Sequence, residues 1–151
     1  MEKYQEIDVL IRDLYDSISG PKGQERKWDQ LPRLFFPTAR LIRTILDEQG
    51  VPQAQVMDIE SYIKITAPLF QTQGFFECEI ARQTDVFGNI AHLMSTYEAR
   101  YAQDDPEPFR RGINSIQLFY DGSRWWIMNM LWDNEREDNP LPEKYLSQKP
   151  E

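Results

Sequence analysis

Histidine and cysteine are nearly missing from this chain of 151 residues, which holds His92 and Cys78 and no others of either kind. A zinc site of the usual nitrogen and sulfur ligands needs about four such side chains, and no EF-hand spacing is present. No metal is therefore expected. A single cysteine also excludes an internal disulfide framework. The seven glycines, at 20, 23, 50, 74, 88, 112 and 122, never fall into a GxGxxG or GxxxxGK[ST] pattern, and no GxSxG elbow occurs. Dinucleotide, P-loop and serine-hydrolase chemistry lose their usual motifs, and no cofactor is expected. Basic charge is short as well: 17 Lys and Arg stand against 25 acids, a net charge of −8. Nucleic-acid binders need a basic footprint, so a nucleic-acid partner is not expected, and anionic membrane surfaces are disfavoured on the same ground. An apolar run of about 18 residues, the minimum for a membrane span, is also missing. The first residues, MEKYQEIDVLIRDLYDSIS, are charged and amphipathic rather than basic-then-apolar. With the single cysteine, they lead to an expected cytoplasmic location.

What the chain does have is aromatic mass: four Trp, seven Tyr and eight Phe. Much of it lies in INSIQLFYDGSRWWIMNMLWD, residues 113 to 133. Asp121-Gly122 between apolar runs predicts a two-residue hairpin turn. The second strand has almost no polar face, so it is expected to be covered on both sides. Elsewhere, Ile7, Leu10, Ile11, Leu14, Tyr15 and Ile18 recur at helical spacing and predict an amphipathic helix over about 2–19. A second short helix is predicted over 28–36, closed by Pro37, then an ambiguous strand over 39–46 and a loop over 47–54. Asp58 is a candidate cap for a helix that Pro68 should disturb. Residues 75–84 and 90–101 form a second hairpin turned at Gly88-Asn89. Helices segregated from successive strands indicate an α+β architecture. Residues 1–133 form the expected domain, and 134–151 a charged tail with three prolines.

Counting from the two turns assigns faces. A Gly88-Asn89 turn pairs Phe87 with Ile90 and puts Asp85 opposite His92 and Cys78 opposite Ala99. Ala91, Leu93, Ser95, Tyr97 and Ala99 then share the more apolar, inward face. His92 goes outside, and Cys78 reads as a small buried hydrophobe far from it. Glu77 and Glu79 would face Arg100 and Glu98 as an outer charge ladder. A three-residue turn would instead bring Glu79 opposite Tyr97. In the other hairpin the same counting pairs Asn114 with Asn129 inside. It sends Trp126, Met128, Met130 and Trp132 outside, an apolar face that predicts a homodimer through the convex side of the sheet.

Four segments carry a family resemblance: LYDSIS at 14–19, LPRLFFPTARLI at 31–42, FGNIAHLMSTYEARY at 87–101 and RGINSIQLFYDGSRWWIMNML at 111–131. The chain resembles the nuclear-transport-factor-2-like (NTF2-like) superfamily, close to its SnoaL-like branch. That resemblance implies a cone, in which a curved antiparallel sheet wraps the N-terminal helices and leaves a pocket at its open end. It also implies either a cofactor-independent isomerase, dehydratase or hydrolase, or a non-catalytic association or ligand-sensing module. No catalytic set of such enzymes maps residue by residue onto this chain, so whether it is an enzyme stays open.

The inward faces suggest a site for a hydrophobic small molecule. Tyr15, Trp28 and Trp125 are expected as walls. Ser95, Tyr97, Asn114 and Asn129 are expected as polar contacts, because polar groups on apolar faces need partners. Tyr97 could donate to a developing oxyanion, while Glu79 and His92 are weaker candidates for acid/base work. In this register no strong base stands beside Tyr97.

Overall fold

The computed structural model describes residues 2–147. Helix α1 (Lys3–Ile18) is followed by strands β1 (Phe35–Leu46) and β2 (Pro52–Met57), then helix α2 (Ile59–Thr72). Strands β3 (Phe76–Phe87), β4 (Ile90–Arg100), β5 (Arg110–Tyr120) and β6 (Trp125–Asn134) complete the fold. All six strands join one sheet in the order β2-β1-β6-β5-β4-β3. Neighbours are antiparallel except β1 and β6, which run parallel. The sheet is therefore mixed rather than wholly antiparallel, because the chain returns to β1 only after α2 and the later strands.

The predicted first helix forms as expected. Ile7, Leu10, Ile11, Leu14, Tyr15 and Ile18 are buried on one stripe, against Leu93, Ile116, Leu118 and Ile127 of the concave face. The Asp58 carboxylate caps α2 by accepting from the Ser61 backbone N–H at 2.7 Å. Pro68 does not end this helix, which continues to Thr72. Buried Phe70 anchors its last turns, stacked on Phe75 with ring centroids 4.9 Å apart.

Two other expectations are corrected. Residues 28–36 do not make a full helix. A single 3-10 turn covers Leu31–Leu34 and β1 begins at Phe35. The stretch expected as a loop holds β2, an edge strand exposed along nearly all its length. With only its last residue, Met57, buried, it has no alternation to read. Its turn is closed by Asp47, which accepts from the backbone of Gln49 and Val51, and by Gly50 at φ 78°.

Register decides the rest. At the β3–β4 turn Phe87 pairs with Ile90, and Asp85 with His92, as counted. A bulge at Ile80 then shifts the strand by one residue, so Cys78 faces Glu98, Glu77 faces Ala99 and Glu79 faces Tyr97. A bulge inserts one unpaired residue and exchanges the faces on its two sides. Glu77 and Glu79 therefore turn inward, and Cys78 is exposed rather than buried. At the other hairpin the turn spans four residues and pairs Tyr120 with Trp125. A bulge at Met128 follows. Asn129 faces Gln117 on the outer side, and Asn114 faces Trp132. The expected outer apolar face is thus divided: Trp126 and Met128 stay outside, while Met130 and Trp132 turn in. The C-terminal segment crosses part of the convex face. There the Tyr145 carbonyl accepts from Thr96 Oγ1 at 2.6 Å, and the Lys144 carbonyl from Gln83 Nε2 at 2.9 Å. Residues 148–151 of the expected tail lie outside the described residues.

Candidate functional site

The concave face is dry at one end and polar at the other. At the dry end Trp125 is buried, and its indole N–H donates to the Lys3 carbonyl at 3.1 Å. Toward the other end three polar side chains are almost fully enclosed: Ser95, Asn114 and the Tyr15 hydroxyl. They form one connected chain. Tyr15 Oη and Ser95 Oγ lie 2.7 Å apart. Asn114 Nδ2 donates to Tyr15 Oη at 3.0 Å and reaches Glu77 Oε1 at 3.4 Å. Ser95 Oγ donates to Glu79. Both Glu79 oxygens accept from Arg82, at 2.8 to 3.1 Å, and Arg82 also pairs with Asp8 of α1. Among the described residues, one buried side-chain polar atom, Glu6 Oε2, lacks a partner.

In front of this chain lies a cavity of about 360 Å³, within the range of small-molecule sites. Its apolar wall comes from α2 and the strand ends: Tyr62, Phe70, Phe75, Phe109, Met130 and Trp132. Glu77, Tyr97 and Asn114 supply its polar floor, with Arg43 and Arg110 also on its lining. Burial raises the Glu77 pKa from 4.5 to about 7, against the Asn114 hydrogen bond and the Arg110 charge, which both lower it. The Tyr97 hydroxyl donates to Asn134 Oδ1 at 2.5 Å. Burial, reinforced by Glu77, pushes the Tyr97 phenol above its usual range, and Tyr62 moves the same way for the same reasons. A carboxyl poised near neutrality beside a phenol and an amide can give or take a proton from a bound molecule.

A second, outer groove of about 600 Å³ lies between α1 and β3, lined by Asp8, Arg12, Asp16, Glu79, Arg82 and Arg100 among others. Glu77 lines both hollows. The inner one has the enclosed aromatic walls and convergent polar groups that a small molecule requires.

Of the residues expected from sequence, Tyr97 and Asn114 line the inner cavity, while Tyr15 and Ser95 stand one layer behind them. Trp28 does not line the cavity; half-buried against the core, it stacks on Phe70 of α2 with ring centroids 6.1 Å apart. Trp125 belongs to the dry end. Asn129 is on the convex side, because of the Met128 bulge. Glu79 faces inward, but Arg82 and Ser95 occupy its oxygens. His92 is on the convex face with Nε2 2.9 Å from Ser115 Oγ. Glu77, Arg110, Tyr62 and Trp132 were not foreseen. Counting by twos from Asn114 reaches Arg110, so that residue was within reach of the pattern. Glu77 and Trp132 were hidden by the bulges.

No family model matches the chain, and no curated protein does. Solved structures do. A protein of unknown function with a cystatin-like fold from Nostoc punctiforme superposes with a TM-score of 0.66 at 12% identity, covering 88% of this chain and 91% of that one. An NTF-2-like protein of unknown function from Silicibacter pomeroyi gives 0.55 at 15%, covering 87% and 94%. The beta subunit of a putative aromatic-ring-hydroxylating dioxygenase from Novosphingobium aromaticivorans gives 0.63 at 13%, covering 88% and 89%. At such identities the likeness concerns the fold, an NTF2-like α+β cone of two helices on a six-stranded mixed sheet.

Proposed function

We propose that this chain is a small-molecule-binding protein of the SnoaL-like kind whose inner cavity carries out acid/base chemistry through Glu77. One observation carries the reading: a carboxyl with a pKa near 7 on the wall of an aromatic-lined cavity, beside Tyr97 and Asn114. Near neutral pH such a group divides between acid and base forms, the condition for moving a proton in either direction. The reaction class is a cofactor-independent isomerisation or dehydration of a carbonyl compound. Glu77 takes a proton from the carbon next to the carbonyl, and the electron pair moves onto the carbonyl oxygen. Glu77 then returns the proton at another carbon, or gives it to a departing hydroxyl. Arg110 is the group on this wall suited to the developing oxyanion, since the Tyr97 proton is engaged with Asn134.

The test is proton exchange in heavy water, with a set of aryl and cyclic ketones followed by NMR. Exchange should accelerate with pH through about 7 and fall to the uncatalysed rate in Glu77→Gln. Exchange that persists in Glu77→Gln would sink the reading.

The chain also acts as a homodimer in this proposal, in the cytoplasm, through the convex face. Support comes from an outer aromatic cluster in which Phe36 meets Phe119 at 5.9 Å and Trp126 at 5.8 Å, edge to face, with Met128 on the same side. A monomer mass by light scattering at micromolar concentration would remove the dimer. A dimer without any exchange activity would favour a non-catalytic association or ligand-sensing module.

A further inference from the structure

Polarity runs in one direction through the buried hydrogen-bond chain. The Glu79 carboxylate can only accept, so the Ser95 hydroxyl spends its proton on Glu79. The 2.7 Å contact between Ser95 and Tyr15 then needs the Tyr15 proton. With that proton committed, Tyr15 Oη can only accept from its third neighbour, so Asn114 must present its NH₂ there. The same NH₂ group points at Glu77. Asn114 is thereby fixed in one amide orientation with both its bonds made by the NH₂ group, and its carbonyl oxygen, which is not among the sealed polar atoms, is left as the acceptor on the cavity floor. Tyr97 spends its own proton on Asn134 and adds a second acceptor oxygen. The floor therefore receives hydrogen bonds from a ligand.

The other lining groups have the opposite character. Arg43 of β1 and Arg110 of β5 reach the cavity from strands on either side of β6, and both are solvent-exposed. Each shares the inward parity of its strand, with Leu41 and Gly112 respectively. The ion pairs among the described residues involve neither of them. Arg110 instead lies over the Phe109 ring, 5.3 Å from its centre. Two unpaired guanidinium groups at the mouth of an aromatic hollow suit a carboxylate, which arginine binds through two parallel N–H groups.

We propose that the inner cavity selects a small aryl or apolar carboxylate bearing a hydroxyl at its far end. The carboxylate is held at the mouth by Arg110 with Arg43, the body lies among Tyr62, Phe75 and Trp132, and the hydroxyl donates to Asn114 Oδ1. The inference rests on the reading of this cavity as a small-molecule site.

Three probes separate its parts: 3-(4-hydroxyphenyl)propanoate, the matching amide 3-(4-hydroxyphenyl)propanamide, and 3-phenylpropanoate, which lacks the hydroxyl. Binding is followed by tryptophan fluorescence and by amide NMR shifts on β5 and β6. The hydroxy acid should bind at least about tenfold more tightly than its amide, the ratio that one charge-assisted hydrogen bond supports. Arg110→Gln should erase most of that ratio and leave the amide's own affinity in place. Arg43→Gln should reduce it less. Both substitutions are on the surface, and the amide serves as the folding control. The hydroxy acid should also surpass 3-phenylpropanoate, and Asn114→Ala should remove that preference. Equal binding of acid and amide overturns the anion assignment while the cavity reading stands. An acid preference that survives both arginine substitutions overturns it as well. If none of the three probes shifts β5 and β6, the cavity reading falls, and this inference falls with it.

Discussion

The two ends of the concave face are built on the same four strands, yet they do opposite things. At the Trp125 end, α1 lies on the sheet and every inward position is apolar: Leu93, Ile116, Leu118 and Ile127 are buried to within 2%. At the Glu77 end the inward positions carry two carboxyls, two hydroxyls and an amide, and α2 stands off far enough to leave a cavity. The difference comes from two bulges. Ile80 and Met128 each exchange the faces of one strand, bringing Glu77, Met130 and Trp132 into the hollow. One end is therefore bound by packing and the other by a polar network whose members depend on one another.

The largest expected effect is at the packed end. Ile116→Ala should cost about 2–5 kcal/mol, since the removed atoms leave a void that rigid neighbours cannot fill. Urea denaturation measures it, and a loss under about 1 kcal/mol would mean that this end is not close-packed.

The next effect has the opposite sign and depends on pH. Glu77 has a folded-state pKa of about 7, above its ordinary 4.5. The folded chain thus holds this proton more tightly than the unfolded one, and stability contributed by the neutral carboxyl is complete below pH 4.5. It declines as pH rises to about 7 and is level beyond. Glu77→Gln keeps a neutral group at all pH values, so it should stabilise the chain by roughly 1–3 kcal/mol at pH 8 and by little at pH 5. Denaturation midpoints at the two pH values check this. A gain that does not change with pH would remove Glu77 as the titrating group.

The smallest effect belongs to Tyr97→Phe. It deletes one hydrogen bond, to Asn134, at the edge of the cavity and should cost about 0.5–1.5 kcal/mol. A cost as large as that of Ile116→Ala would mean that the polar end is as tightly packed as the dry one.

Regular patterns made half of this comparison legible in the sequence. The stripe on α1, the Asp58 cap and the alternation of β4 locate the dry end and put Ser95 and Tyr97 inside. Alternation fails where a strand contains an extra residue, and neither Ile80 nor Met128 has a side chain that announces one. From the turns alone, Glu77 reads as an outer charge and Asn129 as an inner amide, the reverse of their positions. β2 escaped for a different reason: it pairs with one strand and buries only Met57 at its end, so no periodicity marks it. Arg26 gave no signal either. Within a stretch read as a polar loop, it is buried and donates to the carbonyls of Ile18, Gly20, Pro21 and Gln24.

The free border of β3 carries one more consequence. A strand at the rim of a sheet offers unpaired amides to any other extended chain. Here the segment leaving α1 occupies the first residues of that border. Gly20 exchanges two backbone hydrogen bonds with Phe75, and Ser19 Oγ accepts from the Glu77 amide at 3.0 Å. At the opposite rim, Pro52 opens β2 without an amide to give. Growth of the sheet by copying itself, strand onto strand, therefore meets an obstacle at one end of each marginal strand. The obstacle on β3 also holds the backbone of Glu77.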